Sequence, residues 1–378
     1  MNENIRKLAS IQKIDEIKPH PNADSLELAK IGGWQVVVKK GEFKSGDLCV
    51  YCEIDCLMPE KPEFEFLRSK HFRIKTIKLR GEISQGIAFP FEALTFEYEG
   101  KSLPFMESFD NTYGIFDENK IIGMEITELL GIKKYESPIS PQLMGMAKGN
   151  FPSYIIPKTD EERLQSRMKL LEEMNGKLCY ITLKEDGTSY TAYHSIEPNT
   201  IPEIMELEQM IGVCSRNLEL KNESFPSADM NIYWKITKQY DIEEKLKEFY
   251  RNYGRNIAIQ GEITGDGIQN NKLGLPRNTY QLHLFNIYDI DKQKYVDYTE
   301  FIMISSELGI PTVDTIYFGK FNFTLEQLLE MSKGKYIGTK NNREGIVIRP
   351  IEETFSEALH GRLSFKVINN DFLLKDEE

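Results

Sequence analysis

The sequence predicts an α+β protein in two parts: a small closed β-barrel, then a larger domain of antiparallel sheets flanked by helices. Three observations carry this. Early runs such as IQKIDEIKPH, AKIGGWQVVVKK, DLCVYCEID and FRIKTIKLRG are short, β-branched or aromatic, and separated by Gly, Pro, Asn and Asp. The Pro-punctuated run ESPISPQ interrupts that pattern and sets an expected boundary at residue 135, giving domains 1–135 and 136–378. Beyond it, helical stretches such as DIEEKLKEFYRNYG alternate with strand-like runs.

The chain's 378 residues are 40% hydrophobic and 28% charged. That is globular composition, with neither repeats nor an apolar run long enough to cross a membrane. The first residues lack the apolar core of a signal peptide. Five cysteines, an odd number, fit a reducing compartment, so the expectation is a soluble, cytoplasmic protein. A net charge of −12 argues mildly against nucleic acid, but binding follows the local field. From Phe66 to Gly81 there is no acid, while Arg68, Lys70, Arg73, Lys75, Lys78 and Arg80 are all basic.

In order along the chain, HFRIKTIKLR places Phe72 and Ile74 in one alternation phase and Ile77 and Leu79 in the other. This predicts a bulge or corner at Thr76. Cys49, Cys52 and Cys56 lie on strand-like runs without finger spacing and read as core thiols. A turn-rich connector follows, MESFDNTYGIFDENKIIG, with EITELLG as a short helix closed by Gly131. Thr159-x-x-Glu162 then reads as a capping box opening a helix with Leu164, Met168 and Leu171 on its buried stripe and Gly176 as its stop. Capped helices are also expected near Thr299 and Thr324.

The second domain is organised around Lys184-Glu185-Asp186-Gly187, which follows the strand Leu178–Leu183. Tyr180, Thr182 and Lys184 share one face of that strand. Asp186-Gly187 reads as a tight hairpin turn, with Thr188–Tyr193 as the returning strand. Alone, this lysine reads most simply as solvated.

The other motifs are Gly261-Glu262 on the strand Ile257–Ile263, Phe285 in LFNIYDI, Glu344-Gly345-Ile346-Val347, and Lys366 in SFKVIN. Their joint order and spacing resemble motifs I, III, IIIa, IV and V of the covalent nucleotidyltransferases, which comprise polynucleotide ligases and mRNA capping enzymes. The resemblance implies a nucleotidyltransferase domain in which Lys184 is the nucleophile that forms a lysyl-adenylate from ATP. It implies that Thr182 contacts adenine, Glu262 holds the ribose, Glu344 binds a divalent metal (Mg or Mn) and Lys366 binds phosphate. Asp186 and Gly187 belong to the nucleophile motif, and Arg216 in VCSRNLEL matches an arginine that contacts sugar or nucleic-acid phosphate. Many members carry Lys-x-Lys in the last motif. Here the second position is Ile368, leaving Lys375 or a single lysine to fill that role.

Residue patterning adds physical expectations. Alternation puts Glu344, Ile346 and Ile348 on one face, with Ile346 as an apolar floor for a base and Phe285 as the opposing aromatic lid. A lysine attacks phosphorus only when unprotonated, and its free pKa is about 10.4. Partial burial, Lys366 and the metal are expected to lower it.

PHPNADSL and RGEISQG resemble strand signatures of OB-type tRNA-binding domains. This N-terminal OB-like β-barrel precedes motif I, and the chain ends at Glu378, so no such domain is expected after motif V. That order resembles the Deinococcus-type ATP-dependent RNA ligases. It implies sealing of nicks in RNA-containing duplexes that carry a 3′-OH and a 5′-phosphate. Two alternatives stay open: an RNA- or tRNA-binding protein with an inactive transferase domain, and another covalent nucleotidyltransferase of DNA ligase or capping type.

Overall fold

A computed structural model describes residues 7–98, 101–105, 121–136, 139, 141–197, 208–222 and 231–375. The connector over 106–120, most of the linker after Glu136 and the Lys375 side chain lie outside the described residues. The chain forms two compact units, residues 1–138 with 164–168 and 373–378, and residues 139–163 with 169–372. Among the described residues no helix is long and apolar enough to cross a membrane.

The first unit is built from short antiparallel strands. Leu48–Cys52 lies between Ala9–Lys13 and Ile87–Phe89, while Leu26–Ile31 lies between Glu16–Pro19 and Trp34–Lys39. A hairpin, Thr76–Leu79 with Glu82–Gln85, meets the second sheet through Gln35 Nε2, which donates to the Ile83 carbonyl at 2.9 Å, and Val37 N–H, which donates to Ser84 Oγ at 3.0 Å. It meets the first through the Tyr51 hydroxyl, which donates to the Gln85 carbonyl at 2.7 Å. The turn of that hairpin is Arg80-Gly81, with φ of 50° and 96°, the left-handed pair that matches strand twist.

The expected bulge at Thr76 is absent, because pairing runs without a break from Thr76↔Gln85 to Leu79↔Glu82. The strand begins only at Thr76, so Phe72, Ile74 and Thr76 continue a single buried phase. EITELLG forms a turn rather than a helix. The Thr127 hydroxyl there accepts from the Leu8 and Ala9 amides, and Gly131 closes the turn at φ 68°. Cys49, Cys52 and Cys56 are buried free thiols, and burial pushes Cys49 up to about 12.

The two runs PHPNADSL and RGEISQG meet. His20 Nδ1 accepts from the Asn22 amide at 3.1 Å, so its Nε2 carries a proton and donates to the Leu79 carbonyl at 3.0 Å. Asn22 Nδ2 donates to the Arg80 carbonyl at 3.0 Å. Both runs therefore serve one lock between a loop and the Arg80-Gly81 turn.

In the second unit, a seven-stranded antiparallel sheet runs in the order Ala147–Asn150, Leu218–Leu220, Glu208–Cys214, Thr188–Glu197, Ile257–Gly265, Tyr280–Asp289, Lys294–Tyr295. Helices Ile232–Gln239 and Ile242–Tyr253 cover one face, packing Trp234, Ile236, Leu246 and Phe249 with Tyr190, Ile259 and Leu284. Asn231 caps the first helix on the Trp234 amide, and Gly254, at φ 62°, ends the second. A five-stranded sheet runs in the order Glu162–Arg163, Phe365–Ile368, Gly345–Pro350, Leu178–Lys184, Thr315–Lys320. The capped helix expected near Thr324 is present as Leu325–Ser332, opened by a capping box between Thr324 and Gln327.

The helix expected from Thr159 does not start there. Glu162 and Arg163 instead form a short strand parallel to Phe365 and Lys366, and the helix spans only Lys169–Met174. A sheet partner brought from the end of the chain outweighs the local capping signal. Gly176, at φ 76°, follows that helix as expected.

The His20 lock yields a test. Replacing His20 with alanine leaves the Asn22 amide and Leu79 carbonyl unpaired and should destabilise the first unit by about 1–3 kcal/mol, read as a lowered urea midpoint. An unchanged midpoint would show that water replaces the imidazole at no cost.

Candidate active site

Lys184 ends one sheet, and the next strand starts in the other. Leu178–Lys184 pairs with Gly345–Pro350 and Thr315–Lys320, whereas Thr188–Glu197 pairs with Ile257–Gly265. The expected hairpin is thus a crossing between sheets. It needs Gly187, because a Cβ there would stand 2.2 Å from the Ile263 carbonyl oxygen. The Gly187 amide donates to Glu262 Oε1 at 3.1 Å, which brings motif I against motif III.

The amine of Lys184 lies 2.7 Å from Glu344 Oε2, across 160 residues of sequence. Burial pushes its pKa down, as expected. The carboxylates of Glu344, Glu262 and Asp186 more than offset this and leave it above the ordinary lysine value. The expected net lowering is therefore reversed among the protein's own groups. The groups that act most on the amine are carboxylates, while Lys366 Nζ lies 3.3 Å from Asp160 Oδ1. Glu262 is driven up to about 8 by burial first, then by Glu344, Glu185 and Asp186 against the pull of Lys184. Asp186 rises to about 6 through burial and Glu344, opposed by Lys272, whose Nζ is 2.8 Å from its Oδ2.

Cross-strand register assigns the faces. Thr182 pairs with Val347, and Val347 with Lys366, so these side chains share the face of Lys184. Ile346 pairs with Leu183 and Val367 on the opposite face, with Ile348 likewise turned away opposite Ile181. On the lysine face the apolar residue of this strand is therefore Val347, and Ile346, expected there, faces the other way. Glu344 precedes the strand, and Gly345, beyond which the strand runs, separates its direction from the alternation that follows.

Phe285 is the extra residue where the register between Ile257–Gly265 and Tyr280–Asp289 shifts: Gln260 pairs with Asn286 and Gly261 with Leu284. Such a bulge re-aims a side chain. Phe285 is half-buried, while its neighbours Leu284 and Ile287 belong to the core. Arg216 is drawn to the same acid as Lys366, its Nη2 lying 3.5 Å from Asp160 Oδ2. One carboxylate thus joins the two residues expected to bind phosphate.

Several partners were not legible beforehand. Tyr336 places its hydroxyl between the lysine turn and the Glu344 strand, and Lys272 holds Asp186. Glu185 of the nucleophile motif receives His283 Nδ1 at 2.7 Å. Asp160 follows a threonine that read as a helix cap. Spacing alone carries no signal for any of these.

The residues present fit a nucleotide and a hard cation. Thr182 Oγ1 is buried with no hydrogen-bond partner among the described residues, on the lysine face, as an unmet group for the polar edge of a base would be. Carboxylate oxygens of Glu344, Glu262 and Asp186 surround the amine, the donor type that suits Mg or Mn. Among the described residues no group of three or more His, Cys, Asp or Glu could by itself enclose a metal, so a cation here would take its remaining ligands from water or substrate oxygens.

The pair between His283 and Glu185 sets a pH test. Burial lowers the His283 pKa, but Glu185 raises it further, to a net value above 6.5. Its stabilisation is complete below the unfolded value and is lost as pH rises through the higher folded value. Urea unfolding across that range should show a decline in stability that His283→Gln flattens; an unaltered decline would assign it elsewhere.

Comparison with known proteins follows the same lines. A family model described as an OB-fold domain matches residues 8–91, and one described as RNA ligase matches residues 177–368. No curated protein matches the chain. Among solved structures, a Naegleria gruberi RNA ligase variant with AMP and Mn is 32% identical with a TM-score of 0.78, covering 97% of this chain and 98% of that one. Another variant of that ligase, with ATP and Mn, is 33% identical with a TM-score of 0.77, covering 99% of this chain and 100% of the other. The Naegleria gruberi ligase with PPi is 32% identical with a TM-score of 0.78, and the match covers 99% of each chain.

Proposed function

The chain belongs to the RNA ligase family, and from that premise we propose that it uses ATP and a divalent metal to seal RNA breaks bearing a 3′-OH and a 5′-phosphate, with Lys184 as the covalent nucleophile. The observation that carries this reading is the Lys184–Glu344 contact of 2.7 Å, with Glu262 held beside it by the Gly187 amide. The Deinococcus-type subtype rests on the PHPNADSL and RGEISQG runs and on the order of the domains, 1–135 and 136–378.

In the first step the Lys184 nitrogen attacks the α-phosphorus of ATP. An N–P bond forms, the P–O bond to the β-phosphate breaks, and pyrophosphate leaves. The amine must first lose a proton, and Glu344 is the strongest of the partners that retain it. Glu344 would hold a divalent metal, which would supply positive charge beside the amine and the phosphate. Once Glu344 is engaged elsewhere, burial of the amine favours its neutral form. Lys366 and Arg216 exchange Asp160 for phosphate oxygens, Thr182 meets the base edge, Val347 forms its apolar floor, and Phe285 covers the opposite side. In the second step an RNA 5′-phosphate oxygen takes AMP from the lysine. In the third the 3′-hydroxyl attacks that phosphate and expels AMP.

The N-terminal unit is assigned to polynucleotide. Arg73 leaves that surface, since it pairs with Asp55 at 3.2 Å and lies over the Tyr135 ring. Lys78 and Arg80 remain exposed, with Lys75 half-buried beside them.

Incubation with α-labelled ATP and metal should leave acid-stable label on the protein. Lys184→Ala should abolish it. So should Lys184→Arg, because arginine is effectively never deprotonated. Label retained on both variants would place the nucleophile elsewhere.

The resemblance also implies ribose selection on the 3′-OH side of a nick, which requires a contact to the 2′-hydroxyl or to A-form geometry. Nicked duplexes differing only in that terminal sugar should be sealed with strong preference for ribose. Equal sealing would favour a DNA ligase activity.

A further inference from the structure

Resting on the reading of Lys184 as nucleophile, we propose that Tyr336 is a positioning residue for adenylyl transfer, a buried hydroxyl that fixes the nucleophile and the metal-binding carboxylate relative to each other through their backbones. The phenol oxygen accepts from the Asp186 amide at 3.0 Å and from the Glu344 amide at 3.2 Å, and it donates to the Lys184 carbonyl at 3.2 Å. A tyrosine hydroxyl has one proton and two lone pairs. All are spent on the backbone of these motifs, and the hydroxyl occupies the point where motif I and motif IV meet.

Side-chain chemistry explains why such a clamp matters. Lysine carries its amine on a flexible four-carbon stem, so the 2.7 Å approach to Glu344 is reproducible only if both backbones are held. The lysine strand ends at Lys184 and the carboxylate strand starts at Gly345. Pairing between these two strands therefore stops at Lys184↔Gly345, although on its other side the Glu344 carbonyl accepts from the Asn369 amide at 2.9 Å. Tyr336 adds, from outside the ladder, the link between the Lys184 turn and the Glu344 amide.

The loop that delivers it is shaped for this. Tyr336 is 6% exposed, while the next residue, Ile337, is 90% exposed, so the chain dips inward for a single side chain. Gly334 at φ 121° and Gly338 at φ 75° flank the dip in conformations that L side chains rarely adopt. Gly338 has open space around its Cβ position, so its requirement is conformational rather than steric.

Tyr336→Phe keeps the ring and removes the hydroxyl. The expected result is a folded protein with ATP KM little changed and single-turnover formation of the protein–AMP adduct slowed about ten- to a hundredfold. Sealing of RNA supplied already adenylylated bypasses attack by Lys184 and should fall much less. Gly338→Ala, which loosens the loop without touching the site, should reproduce the same split in milder form, and it decides the matter if Tyr336→Phe does not fold. Adduct formation at full rate would overturn the proposal, as would equal losses in both reactions with a lowered Tm. Lys184→Ala run alongside separates the two claims. Label on that variant would sink the nucleophile assignment, whereas a silent Lys184→Ala with a full-rate Tyr336→Phe would sink only the clamp.

Discussion

The second unit depends on a chain crossing that only glycine permits. A side chain at Gly187 would have to occupy the space of the Ile263 carbonyl, 2.2 Å from its Cβ position. Because no side chain is there, the strand carrying Lys184 leaves one sheet and enters the other within three residues. Its amide is then free to orient Glu262. The nucleophile stands at the seam of two sheets because the seam is where the backbone can change partners. Interior strands of each sheet contribute: Val347 and Lys366, with Glu344 just before its strand, from one, and Glu262, His283 and Phe285 from the other.

Polar contacts tie down each residue at this seam. His283 holds Glu185, Lys272 holds Asp186, Gly187 holds Glu262, and Tyr336 ties Lys184 to Glu344. Every residue of the Lys-Glu-Asp-Gly run is thus fixed by a different partner. A site that must present a flexible lysine in one place needs such surrounding support more than it needs extra apolar area.

Much of this was legible in the sequence, and the failures have physical causes. Thr182, Lys184, Glu262, Phe285 and Lys366 could be ordered because they sit on strands whose alternation is visible. The strand existed where expected, but a turn signal at Asp186-Gly187 says only that the chain bends, not which sheet the next strand joins. Alternation failed at Ile346 because Glu344 lies before the strand, and counting faces from it carries the error forward. The capping box at Thr159 was a sound local signal overruled by pairing with Phe365–Lys366, contributed some two hundred residues later. Tyr336 gave no signal at all, since its role lies in three backbone contacts and none in its neighbours' identities.

The site also resolves an electrostatic difficulty that the sequence raised. Lys184, Lys272, Lys366 and Arg216 stand beside Glu344, Asp186 and Asp160, with Glu262 close to the first. Each of these four cations lies against a carboxylate, which is less costly than holding so many charges partly out of water unpaired. An isolated anion would have to strip a carboxylate from its cation and leave that acid unpaired. A nucleotide arriving with a divalent metal brings both signs. On the proposed reading its phosphates would replace Asp160 on Lys366 and Arg216, and a metal held by Glu344 would displace Lys184 from it. Partners would be exchanged with little change in net buried charge, and the amine would lose its nearest carboxylate. On the proposed reading, the same exchange that admits the nucleotide removes what kept the nucleophile protonated.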